Sequence, residues 1–127
     1  MNYLRAEDIL VIHSEIIDQT GGLHGVRDVG FLASIINKPQ TKFSGKELYA
    51  GKLKKAAVYL ESIAKYHVFF DGNKRTSIIT AARFLFINGL ELAANNLELE
   101  NFVLRVVTNN LSIDEIAKWF KKHSFPL

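Results

Sequence analysis

Apolar residues recur at helical spacing almost throughout the chain. Ile9, Leu10, His13, Ile16 and Ile17 mark the inner face of a first helix that starts near Ala6 and stops before Gly21-Gly22. The stretch Gly21-Gly22-Leu23-His24-Gly25 cannot be regular helix and reads as an ordered turn or loop. Asp28 suits the N-cap of a short second helix running to about Lys38, with Pro39 beyond it. Residues Thr41 to Gly45 form a connection. From Lys46 a long third helix is predicted to about Tyr66, with the stripe Leu53, Ala56, Ala57, Leu60, Ile63 and Ala64 inside and Lys52, Lys54, Lys55 and Lys65 mostly outside.

A loop from His67 to Asn73 follows. The pattern then predicts a strongly apolar central helix from Lys74 to Asn88 carrying Ile78, Ile79, Ala82, Phe84, Leu85 and Phe86, with Gly89 as its left-handed stop. Leu90-Glu91-Leu92 suits a short extended piece. Asn95 or Asn96 caps a fifth helix whose inner face is Leu99, Phe102, Val103, Val106 and Val107. Ser112-Ile113-Asp114-Glu115 is a capping box opening a sixth helix through Ile116, Ala117 and Phe120, with Lys118, Lys121 and Lys122 suited to its C-terminal turns. The expected fold is an all-α, compact single-domain bundle of about six helices spanning residues 1–127.

Composition narrows the function without naming it. There is no cysteine, hence no disulfide framework and no thiolate metal site. No apolar run reaches membrane-spanning length, and the first eight residues lack the charged start and apolar stretch of a secretory signal. The expectation is a cytoplasmic protein with no membrane partner. The net charge of +3 is a mild excess, without the dense basic tract of many nucleic-acid binders; it fits a nucleotide, RNA or acidic protein partner about equally well and alone decides nothing, and direct nucleic-acid binding is not the expectation here. The four histidines form no HExxH pattern and no pair with zinc-ligand spacing. His13 reads as a core histidine bonded to backbone, His24 as a turn residue and His123 as exposed.

The chemistry concentrates in His67-Val68-Phe69-Phe70-Asp71-Gly72-Asn73-Lys74-Arg75-Thr76. A neutral His67 can take a proton from a hydroxyl near physiological pH. Asp71 is a carboxylate suited to Mg2+. Gly72 permits a tight bend and close approach of backbone to ligand. Asn73 is placed to cap the following helix while its backbone faces an anion. Lys74 and Arg75 stand in the first helical turn, where their charge opposes the helix dipole; bound phosphate would supply the missing negative charge. Phe69 and Phe70 read as core, with Phe69 pinning the loop.

This run resembles the signature of the Fic/Doc superfamily, and specifically its Doc (death on curing) branch. The general Fic pattern is His-Pro-Phe, two variable or acidic positions, then Gly-Asn-Gly-Arg. Here Val68 replaces the proline and Lys74 the second glycine, and a lysine there is typical of Doc. Leu10 to His13, residues Gly21 to Gly25, Asp28 with Gly30, and Asn88-Gly89 also look like Doc features at similar spacing. Ile79 departs from the pattern, standing where a Doc relative can carry a polar residue.

The resemblance implies an ATP-using transferase. His67 would be the general base, Asp71 would hold Mg2+, and Gly72, Asn73, Lys74 and Arg75 would bind the phosphates, with Phe69 anchoring the loop. Most Fic proteins transfer an adenylyl group. Doc-type toxins are thought to bind the nucleotide reversed, transferring the γ-phosphate to a threonine of elongation factor Tu and stalling translation. A lysine at position 74 fills space that a glycine leaves open and adds a point charge, which favours γ-phosphoryl transfer. Adenylylation is the alternative, and a non-catalytic helical module binding RNA or protein is the rival from another class. The inhibitory pattern of many Fic proteins, Ser/Thr-x-x-x-Glu-Gly/Asn, is incomplete: Glu100-Asn101 is the one Glu followed by Gly or Asn, and Asn96 stands where Ser or Thr is required. A built-in brake is therefore not expected. A separate Phd-like antitoxin, with a disordered acidic segment folding on binding, is implied.

Overall fold

The computed structural model describes all residues 1–127. Six α-helices run α1 Ala6–Thr20, α2 Val29–Asn37, α3 Lys52–Tyr66, α4 Asn73–Ile87, α5 Asn96–Thr108 and α6 Ile113–His123, with two small antiparallel hairpins beside them. The all-α expectation holds. Twenty-two buried residues form one hydrophobic core. Its centre is α3, packed most extensively on α4 and α6. Tyr59, Leu60 and Ile63 of α3 and Phe84 and Leu85 of α4 are fully buried there. No helix is long and apolar enough to cross a membrane.

Local chemistry explains most of the boundaries. The Asp28 side chain accepts from Phe31 N–H and starts α2. Asn95 with Glu98 and Ser112 with Glu115 form complete capping boxes at α5 and α6. Gly89, at φ +90°, turns the chain out of α4.

The long third helix is shorter than its periodicity suggests. It begins at Lys52, not Lys46. Ser44, Gly45 and Gly51 all have positive φ, which no helix accommodates, and Lys42–Phe43 (β1) pairs with Lys46–Glu47 (β2) as a hairpin. Lys55 is not on the outer face. It is fully buried, donating to the Pro39 carbonyl at 2.8 Å and pairing with Glu47 at 3.2 Å, so its charge is satisfied inside the fold. Conversely Leu10, Ile79 and Phe86 are exposed (38%, 42% and 48%), and Ile79 faces an open groove between α1, α4 and α5. Leu90–Leu92 (β3) is extended as expected, and its partner is the C-terminal strand Ser124–Pro126 (β4). His123 is half-buried, stacked on Trp119 at 3.9 Å and bonded through Nδ1 to the Trp119 carbonyl.

Candidate active site

The loop between α3 and α4 owes its shape to two left-handed residues. His67 ends α3 at φ +49° and Gly72 precedes α4 at φ +77°. A Cβ on Gly72 would lie 3.0 Å from Ile17 Cδ1, so glycine serves both the turn and the close packing on α1.

Between these bends the backbone is held from every side. Val68 and Phe69 are fully buried. The Val68 carbonyl accepts from Arg27 N–H and Asp28 N–H at 2.8 and 3.1 Å, and Val26 bridges to Phe69. The Asn73 side chain accepts from Phe69 N–H and donates to the Phe69 carbonyl, each at 2.9 Å. Asn73 is therefore not the N-cap of α4. That position is Gly72, and the amide is spent inside the loop. Phe69 stacks on His13 at 3.7 Å, and His13 Nε2–H donates to the Asp71 carbonyl at 2.8 Å. His13 is thus the backbone-bonded core histidine expected of it. Phe70 is no core residue: it is 53% exposed, lying over Gly25.

Two further residues reach the loop from far along the chain and left no local trace in sequence. Arg27 donates from Nε to the His67 carbonyl at 2.7 Å and from Nη2 to the Tyr66 carbonyl at 3.1 Å, covering the open end of α3. Leu23 N–H donates to Asp71 Oδ2 at 2.7 Å. Gly22 makes room for this, since a Cβ there would meet Asp71 Cβ at 3.0 Å. The glycine-rich segment 21–25 thereby sets the Asp71 carboxylate. His24 takes no part; it pairs with Asp18 at the surface.

The result is a cavity of about 470 Å3 lined by His67, Asp71, Gly72, Asn73, Lys74 and Arg75, with Thr20 and Gly21 at the end of α1. Phe69 is fully buried and does not line it. Thr20 was not foreseen; only the end of α1 abutting the loop reveals it. The His67 imidazole is exposed and makes no protein hydrogen bond, and Asp71 Oδ1 is likewise unengaged. Helix α4 has no side-chain cap and no acid in its first turn. The backbone N–H groups of Asn73, Lys74 and Arg75 have no protein acceptor. Lys74 has no carboxylate partner, whereas Arg75 Nη2 lies 3.1 Å from Glu100 Oε1 on α5. Free N–H donors and two cations at a helix start with no acid in its first turn fit a phosphate ligand, with Asp71 at the side of the cavity and Glu100 against Arg75 as the nearby carboxylates. No three His, Asp or Glu side chains converge. A metal at Asp71 would therefore share its coordination with phosphate oxygens and water, as Mg2+ commonly does.

The model of the Fic/DOC family matches residues 3–85. The chain is 38% identical over 117 residues to Toxin Doc of Mycolicibacterium smegmatis, covering 91% of this chain and 88% of that one. It is 29% identical over 122 residues to Protein kinase doc of Escherichia phage P1, covering 96% and 95%. The chain belongs to the Fic/DOC family, in its Doc branch.

Proposed function

We propose that this chain is a Doc-type toxin that phosphorylates a Ser or Thr hydroxyl of a protein, with ATP as donor, in the cytoplasm. The observation that carries the reading is the mouth of α4: an uncapped helix start with Lys74 and Arg75 in its first turn, facing the cavity that His67 shares. The names of the two relatives, a toxin and a protein kinase, support it.

In this reading the triphosphate lies over the N-terminus of α4. The N–H groups of Asn73, Lys74 and Arg75 and the two side-chain cations oppose its charge, while Gly72 keeps the approach open. His67 takes the proton of the target hydroxyl as that oxygen bonds to the γ-phosphorus. The bond from the γ-phosphorus to the β,γ-bridging oxygen breaks, and ADP leaves. Mg2+, held at Asp71, would neutralise charge on the phosphates. The residues supply positioning and charge, the main requirements of phosphoryl transfer. The target by resemblance is a translation factor of the elongation factor Tu class.

The proposed partner is a Phd-like antitoxin. A second groove, of about 490 Å3, runs between α1, α4 and α5. Its walls are Ile78, Ile79, Leu99, Val103 and Leu104, and Lys74 and Arg75 stand at its end. An acidic, amphipathic helix laid there would cover both phosphate-facing cations. Incubation with ATP labelled at the α- or the γ-phosphate tests the reaction. Protein label from the γ position alone supports phosphorylation, and label from the α position overturns it in favour of adenylylation.

A further inference from the structure

A smaller cavity, of about 300 Å3, lies between α2 and the last turns of α3 and belongs to neither groove above. Phe31, Ser34, Ile35, Lys38, Ser62 and Tyr66 line it. Phe31 and Tyr66 stack at 5.7 Å and are both half-exposed (40% and 44%), forming an aromatic mouth. Ser62 is 2% exposed, and its Oγ has no hydrogen-bond partner. A helical serine commonly returns its hydroxyl to the carbonyl four residues back; Ser62 does not, which leaves a buried donor for an occupant.

Lys38 Nζ stands 5.7 Å from the centre of the Tyr66 ring. Its nearest carboxylate is Glu61 Oε1 at 4.0 Å, and the other oxygen of Glu61 lies nearer to Lys65, at 3.6 Å. The Lys38 charge is only loosely balanced. The cavity therefore offers apolar walls, one buried and unpartnered hydroxyl at Ser62, and one ammonium. The matching ligand is a carboxylate on a short hydrocarbon stem. Tyr66 also adjoins His67, and Arg27 clamps the carbonyls of both. The wall of the cavity and the base at its side are thus held by one guanidinium.

We propose that this cavity receives a glutamate side chain of the protein substrate and thereby selects the sequence around the accepting hydroxyl. The inference rests on the phosphotransferase reading and deepens it. The stem lies between Phe31, Ile35 and Tyr66, and the carboxylate accepts from the Ser62 hydroxyl and pairs with Lys38.

The test uses the full chain, γ-labelled ATP and a translation extract at serial dilutions. Ser34→Trp fills the cavity from its exposed rim, and Lys38→Met removes the charge at similar bulk. Both are expected to raise the KM for the labelled protein at least tenfold, with unchanged kcat at saturating extract and unchanged affinity for a non-hydrolysable ATP analogue by calorimetry. Mass spectrometry of the labelled peptide is expected to show a glutamate near the modified residue, and its change to Gln to reproduce the KM effect with the wild-type chain. An unchanged KM in both variants overturns the proposal. So does a parallel loss of analogue affinity, which would give the cavity to the nucleotide. If the wild-type chain transfers no γ-label at all, the phosphotransferase reading itself falls.

Discussion

The carboxamide of Asn73 closes a ring on the backbone of Phe69, accepting from its N–H and donating to its carbonyl, both at 2.9 Å. Both residues are buried, so water cannot replace either bond. Asn73→Ala would strand two polar groups at about 1–3 kcal/mol each. We expect a loss of roughly 2–4 kcal/mol in urea unfolding. Activity should fall further than stability explains, because His67 and Asp71 hang from the same loop. Asn73→Asp keeps the acceptor and loses the donor, and should fall between the two.

His67 tests the chemistry without the fold. Its side chain is exposed and its φ is +49°, a conformation asparagine tolerates better than most residues. His67→Asn should leave stability within about 0.5 kcal/mol. Phosphoryl transfer should drop about 10²- to 10⁴-fold. Thermal melting and initial rates measured side by side check both halves.

Arg75 pairs with Glu100, and in the proposed complex it would also meet phosphate. The pair is half-exposed, with side-chain exposures of 52% and 61%, so it contributes about 1 kcal/mol or less. Glu100→Gln frees the guanidinium and should tighten ATP by no more than about fivefold. The difference should vanish at high salt. Calorimetry at low and high ionic strength reads it directly.

Alkali should expose Tyr59. Burial pushes its phenol up to about 12, against the hydrogen bond that Leu4 N–H donates to its oxygen. The fold holds the neutral form. The stabilisation is intact below about 10, the unfolded value, and is lost as pH rises through about 12. Tyr59→Phe should flatten the alkaline arm of a stability–pH curve, while costing about 1–3 kcal/mol at neutral pH for the unpaired Leu4 N–H.

The loop was legible because its parts are contiguous. Ten successive residues carry the proposed base, the carboxylate, the bend and the cations, and the cavity gathers His67, Asp71, Gly72, Asn73, Lys74 and Arg75 as their spacing suggests. What holds those parts was not legible. Arg27 lies 40 residues from His67 and Leu23 lies 48 from Asp71, and neither separation has a periodicity. Asn73 illustrates the limit: its position read as a cap, but a buried carbonyl and N–H four residues back claimed the side chain first. Lys55 failed for a related reason. Helical spacing puts it outward, and only the fold brings Pro39 and Glu47 to its ammonium. The early break before α3 was written in Gly45 and Gly51, yet the apolar stripe beyond them masked it.

The central claim is that the start of α4 presents a γ-phosphate to a hydroxyl activated by His67. Mass spectrometry of a translation extract incubated with the chain, ATP and Mg2+ tests it most directly. We expect a phosphoryl group on one Ser or Thr of a translation factor, present with the wild-type chain and absent with His67→Asn. An adenylyl group at that position, or the same phosphorylation with both chains, would contradict the account.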